Sequence, residues 1–148
     1  MTRTSTIVLA IAALAATAAE KKLALKDLPP AVQKTVQDQL KGGEIRNIGK
    51  ETEHGVAQYE VETMLNGKHR DFNVDTKGNL VLVEDETTID AIPAAARAAI
   101  EKKVGGGKLG MVEVMTKGTQ TFYEAGYTSR DGKKHEVLVK PDGTETKD

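Results

Sequence analysis

The side chains that could do chemistry in this chain are few and scattered. The three histidines are His54, His69 and His135, and none of them forms an HxH, HxxxH or HExxH spacing that would set two imidazoles or a base beside one metal. Cysteine is absent, which removes disulfides, thiolate zinc sites, iron–sulfur clusters and thiol nucleophiles together. Gly105-Gly106-Gly107-Lys108 invites comparison with a phosphate loop. It lacks the Walker spacing and the Ser/Thr after Lys, and it follows a helical run, whereas phosphate sits at a helix N-terminus. It reads as a helix C-cap. Ser129 stands beside a turn with no Gly-x-Ser-x-Gly around it, so nucleophilic catalysis has no support. No catalytic residue, metal site or cofactor is expected, and the chain reads as non-enzymatic.

What remains is a set of carboxylates whose meaning depends on strand register. Two stretches, Tyr59 to Val74 and Tyr123 to Val139, each show alternating runs either side of Asn66-Gly67 or Asp131-Gly132, the signature of a β-hairpin. A two-residue turn in the first opposes Thr63 to Arg70, Val61 to Phe72 and Tyr59 to Val74. The apolar residues then share one face. A three-residue turn over 130–132, with Gly132 at its left-handed position, does the same for the second. It opposes Tyr123 to Val139, Ala125 to Val137 and Tyr127 to His135.

The same count sends Glu60, Glu62 and Asp71 to the other face, joined in the second stretch by Phe122, Glu124, Glu136 and Leu138. Glu62 opposite Asp71 is a like-charge pair, unfavourable by roughly 0.2–1 kcal/mol with no structural return in view. Such a face suits a basic segment of a partner protein, with Phe122 and Leu138 adding apolar contact. A divalent cation or small ligand is the alternative. A glycosidase carboxylate pair lacks the aromatics that would build its pocket.

Elements must position this face. Asp27-Leu28-Pro29-Pro30 reads as a helix start with Asp27 as cap. Val32, Val36 and Leu40 follow on one helical face, and Gly42-Gly43 stops the run. A weak strand over 44–53 and a turn at His54-Gly55 lead into the first hairpin. Asn79 to Val83 is apolar at successive positions, which predicts a strand covered on both sides or central in its sheet. Glu84-Asp85-Glu86 closes the half. The pattern then restarts: Ile92-Pro93 for Leu28-Pro29, Ala96, Ile100 and Val104 for Val32, Val36 and Leu40, and Gly106-Gly107 for Gly42-Gly43. This order, repeated with one inserted turn residue, is an internal-repeat signal. The expected class is α+β, two tandem α-β-β-β-β repeats over 27–86 and 90–146, each a helix on one face of an antiparallel sheet.

The chain has 148 residues, 39% hydrophobic and 29% charged, with no Trp, two Phe and three Tyr. The cores must therefore rely on Val, Leu, Ile and Ala. A net charge of −1 gives no reason to expect nucleic acid or an anionic membrane as partner. Arg3, the apolar run Ile7–Ala16 and Ala16-Thr17-Ala18 read as a signal peptide over 1–19, too short to span a membrane and with no lipoprotein cysteine after it. The protein is expected to be periplasmic or secreted, without a membrane anchor after cleavage.

The chain resembles the PepSY-like family, including its β-lactamase-inhibitor-like group. The resemblance rests on Leu28-Pro29 and Ile92-Pro93, the glycine pairs, Tyr59-Glu60 and Tyr123-Glu124, the Gly-Lys after each hairpin turn, and the turns Asp75 to Gly78 and Pro141-Asp142-Gly143. Gly126 stands where the first copy has Glu62. The resemblance implies tandem α+β units in exported or envelope proteins of bacteria. It also implies a role in binding or inhibiting another envelope or secreted protein, peptidases among them.

Overall fold

A computed structural model describes residues 22–53 and 55–146. The leader expected over 1–19 and the turn residue His54 lie outside the described residues. The elements are a 3-10 turn (Leu25–Asp27), α1 (Pro30–Leu40), β1 (Glu44–Glu53), β2 (Val56–Leu65), β3 (Lys68–Asp75) and β4 (Leu80–Thr87). A second 3-10 turn (Ile89–Ala91), α2 (Ala94–Val104), β5 (Lys108–Lys117), β6 (Gln120–Thr128), β7 (Lys134–Val139) and β8 (Glu145–Thr146) follow. The chain is α+β and mostly antiparallel sheet with two helices. It divides into two compact units, one holding α1, β1–β4 and residues 113–121, the other holding residues 88–112 with α2, and residues 122–146.

In the first unit the helical spacing of Val32 and Val36 puts both in one buried cluster with Leu28, Ile48, Tyr59, Val61, Phe72, Val74 and Val83, with Leu40 and Ile45 at the margins. Pro29 caps α1 and Pro30 is its first residue. Asp27 does not cap this helix. Its Oδ2 accepts the Ala24 N–H at 3.0 Å and closes the 3-10 turn instead. The reason is Pro29, which forces Leu28 into extended backbone and so separates Asp27 from the helix. The helix ends with Lys41 at φ 49° and Gly42 at φ 90°.

The turn between β3 and β4 is docked on α1. Thr35 Oγ1 donates to the Gly78 carbonyl at 2.6 Å. Gly78 has φ +90°, and a Cβ there would lie 2.8 Å from the Ala31 carbonyl, so only glycine fits. The run Glu84-Asp85-Glu86 is not a closing loop. Strand β4 continues through it to Thr87, because Asp85 pairs across the strand with Arg70 and Glu86 Oε2 accepts the His69 N–H at 2.9 Å. Of the two alternatives expected for this run the second holds: β4 is interior to its sheet, between β3 and β5, with Val83 buried and Leu80 exposed.

In the second unit Ala96 and Ile100 of α2 pack with Ile92, Val112, Ala125, Val137 and Val139. Gly105 N–H donates to Glu101 O at 3.0 Å and Gly107 N–H to Val104 O at 2.9 Å, so the glycine triplet closes the helix. The three-residue hairpin turn forms with Ser129 N–H on Lys133 O at 2.8 Å and Gly132 at φ +82°. The register is Tyr123–Val139, Ala125–Val137 and Tyr127–His135.

Candidate functional site

The hairpin register places the expected carboxylates on the face opposite each helix. In β2–β3, Tyr59 pairs with Val74, Glu60 with Asn73, Val61 with Phe72 and Met64 with His69. Glu60 is exposed, and Glu62 and Asp71 are half-buried. The like-charge conflict is resolved by pulling the two carboxylates apart. Glu62 Oε1 accepts from Asn47 Nδ2 of β1 at 3.2 Å. Asp71 Oδ1 accepts the Thr63 main-chain N–H at 2.9 Å, while the Thr63 hydroxyl donates to the Arg70 carbonyl. Side chains thus replace main chain in one rung of the ladder. Burial raises the Asp71 carboxyl above its ordinary value; the Thr63 N–H and His69 oppose this and Glu62 adds to it.

Behind this rung, on the helix side, lies a buried cation. Arg70 is 7% exposed. One terminal guanidinium nitrogen contacts both Asp85 oxygens, with Oδ2 at 2.6 Å. The other donates to Gln39 Oε1 at 2.9 Å, and Nε donates to the Gln39 carbonyl at 3.3 Å, at the C-terminal end of α1. Charge, dipole and hydrogen bonds agree here. Sequence reasoning had placed Arg70 on the apolar side without a partner; Asp85 directly across the strand pair was the available signal.

A second polar group was also missed. Gln58 is 2% exposed, on the face away from α1. Its amide nitrogen donates both hydrogens, to Glu51 Oε1 at 2.8 Å and Glu53 Oε2 at 2.7 Å. Asn73 Nδ2 donates to the same Glu51 oxygen at 2.8 Å. Glu51, Glu53 and Gln58 alternate across the turn between β1 and β2, which is how the sequence signals them. No three His, Asp or Glu side chains among the described residues converge as metal ligands.

In the second unit Glu124 opposes Leu138 and Gly126 opposes Glu136. Glu136 is exposed and Phe122 half-buried. Glu124 and Leu138 are 8% and 7% exposed, so neither is displayed for a partner, contrary to the expectation of an open face at those positions. Strand alternation assigns a side chain to a face but does not say what covers that face. Near the turn, Tyr127 and His135 stack with ring centroids 5.2 Å apart. Ser129 Oγ lies 3.1 Å from His135 Nε2, but Ser129 also donates to Asp131, whose carboxyl is held below its ordinary value chiefly by that hydroxyl and by Lys133. An acyl-transfer triad needs the carboxylate on the imidazole and the serine proton on nitrogen. Here the carboxylate takes the serine.

No known protein-family profile and no curated protein matches the chain. Solved structures do. A protein from Bacteroides eggerthii, provisionally described as periplasmic, aligns with TM-score 0.66 and 17% identity over 81% of this chain and 86% of that one. A DUF2874 family protein from Bacteroides uniformis aligns with TM-score 0.65 and 17% identity over 80% and 86%. A BLIP-like protein from Bacteroides fragilis aligns with TM-score 0.59 and 18% identity over 80% and 83%. At this identity they show the fold alone. No helix among the described residues is long and apolar enough to cross a membrane.

Proposed function

We propose that this chain is an exported, non-enzymatic binding module, built from two copies of an α-β-β-β-β unit, that docks on a basic segment of an envelope or secreted protein. The observation that carries the reading is the Thr63–Asp71 rung. It holds a half-buried carboxylate, pushed up by burial and bonded to the Thr63 N–H, beside Glu62 and Glu60 on the face opposite α1. A lysine or arginine arriving there would gain a charge-assisted bond and lower the Asp71 pKa. Exposed Glu136 and half-buried Phe122 are the corresponding residues of the second unit. The BLIP-like and provisionally periplasmic fold neighbours, and the leader-like first residues, support a protein-binding role outside the cytoplasm. Inhibition of a bound enzyme such as a peptidase is the finer form of this reading.

Affinity capture from an exported fraction tests it. The unaltered mature chain should retain a partner that Glu60→Lys/Glu62→Lys loses. If every captured protein survives both reversals, this face is not the site. Addition of the mature chain should then lower the activity of a captured enzyme.

A further inference from the structure

The chain holds four asparagines, Asn47, Asn66, Asn73 and Asn79, and only Asn66 precedes a glycine. The others precede Ile48, Val74 and Leu80, whose large side chains crowd the amide nitrogen between the two residues. Their carboxamides are also held. Asn47 Nδ2 donates to Glu62 at 3.2 Å, Asn73 Nδ2 to Glu51 at 2.8 Å and Asn79 Nδ2 to Asp75 at 2.9 Å. Asn66 and Gly67 instead form the exposed two-residue tip of the β2–β3 hairpin, at φ 53° and 78°. The pair Leu65–Lys68 closes the ladder, so the Gly67 N–H lies outside it.

A Cβ at Gly67 would meet nothing within 4 Å, so the tip opens locally without displacing a packed neighbour. Just behind it the strand is braced: a Cβ at Gly43, after α1, would lie 2.6 Å from the Met64 carbonyl oxygen. Two aspartates also precede turn glycines, Asp131-Gly132 and Asp142-Gly143. A carboxyl closes a ring on the next amide nitrogen only as the neutral acid, since water must leave. Both are held ionised, Asp131 chiefly by the Ser129 hydroxyl and Lys133, Asp142 chiefly by the Thr144 N–H at 2.9 Å.

We propose that Asn66 is a site of spontaneous covalent modification, in which the hairpin tip loses ammonia, takes up water and carries aspartate or isoaspartate in place of asparagine. The Gly67 main-chain nitrogen gives its proton to hydroxide and attacks Asn66 Cγ. The N–Cγ bond forms, the Cγ–Nδ2 bond breaks, and ammonia leaves with a proton from water. Water then opens the five-membered imide. Cleavage of N–Cγ restores the ordinary main chain with aspartate at 66. Cleavage between that nitrogen and the main-chain carbonyl carbon of residue 66 routes the chain through Cγ as isoaspartate. One water enters, one ammonia leaves, and nothing is oxidised or reduced. Isoaspartate adds a methylene to the main chain of a turn whose length sets the register, so it frays the Leu65–Lys68 and Met64–His69 pairs.

The test incubates the folded protein in mildly alkaline buffer and follows it by peptide mapping, with fragmentation that separates aspartate from isoaspartate. A disordered peptide containing Asn-Gly, kept in the same buffer, sets the time scale. By the time that peptide is fully converted, the fragment holding residue 66 should be heavier by about 1 Da and contain both products. Its conversion should run at least roughly tenfold faster than at Asn47, Asn73 or Asn79, and than isomerisation at Asp131 or Asp142. Amide exchange at Leu65 and Lys68 should quicken by about tenfold or more in the isoaspartyl fraction. Asn66→Asp carries the new charge on an unaltered main chain and should leave that exchange nearly unchanged. An intact Asn66, faster conversion at any of the other five sites, aspartate as the sole product, or equal exchange in the isoaspartyl fraction and Asn66→Asp overturns the proposal.

Discussion

Replacing Asp85 by Ala strips the Arg70 guanidinium of both carboxylate contacts but leaves its bonds to Gln39. The magnitude follows from burial. Removing one partner of a fully buried ion pair costs about 3–5 kcal/mol. The Arg70 side chain is 8% exposed, but that of Asp85 is 47% exposed, so water can enter the space it vacates. The relevant scale is then that of hydrogen bonds to a charged group, about 1.5–3 kcal/mol. At about 4 °C per kcal/mol this lowers Tm by about 6–12 °C. Arg70→Met should cost less, under about 1.5 kcal/mol, since it fills a similar volume, removes the buried charge and leaves Asp85 solvated. Urea denaturation of both variants and the double variant, followed by far-ultraviolet circular dichroism, measures the asymmetry and a coupling of about 1–2 kcal/mol. Equal single costs with zero coupling would refute the reasoning, since they would mean that solvent screens the pair completely.

Gly78→Ala meets both a positive φ and the Ala31 backbone and should lose about 2–4 kcal/mol, while Gly132→Ala, with open space around it, should lose only about 1–2; equal losses in chemical denaturation would show that α1 yields to the turn. Glu51→Ala removes the acceptor shared by Gln58 and Asn73 and should lower unfolding stability by about 2–3 kcal/mol, against less for Glu53→Ala. Asp71 gives a pH signature. Its folded pKa lies above its unfolded value, so the native state binds the proton more readily and this carboxyl weakens the fold at neutral pH. That penalty disappears as pH falls through the folded value toward 3.8, the ordinary value. Asp71→Asn keeps an acceptor for Thr63 and should be at least as stable as the unaltered protein at pH 7, with the advantage shrinking toward pH 4. An advantage that grows on acidification contradicts the burial argument.

Much of the strand geometry was legible because turn length fixes register. Counting outward from Asn66-Gly67 and from 130–132 gives Tyr59–Val74 and Tyr123–Val139 without coordinates. The helical faces were legible for the same periodic reason. Charged strands were not. Glu84-Asp85-Glu86 has the composition of a loop, and only the partners Arg70 and the His69 N–H make it a strand. The candidate face was half legible. Alternation placed Glu60, Glu62 and Asp71 together, but it could not foresee that Asp71 would enter the ladder at Thr63, or that Glu124 and Leu138 would be covered. The leader-like segment and the two proposed repeats rest on the sequence pattern.

The docking of Gly78 on Ala31 ties two distant positions into one evolutionary unit. The turn can carry nothing larger than glycine, because a Cβ at residue 78 would lie 2.8 Å from the Ala31 main-chain carbonyl. The same restriction holds between Gly143 and the Ala95 backbone. Neither turn is free to lengthen or drift as exposed loops usually are. Insertions should therefore accumulate around Gly118, where a side chain would meet nothing, and lineages that vary the helix starts should be found to have rebuilt these turns with them.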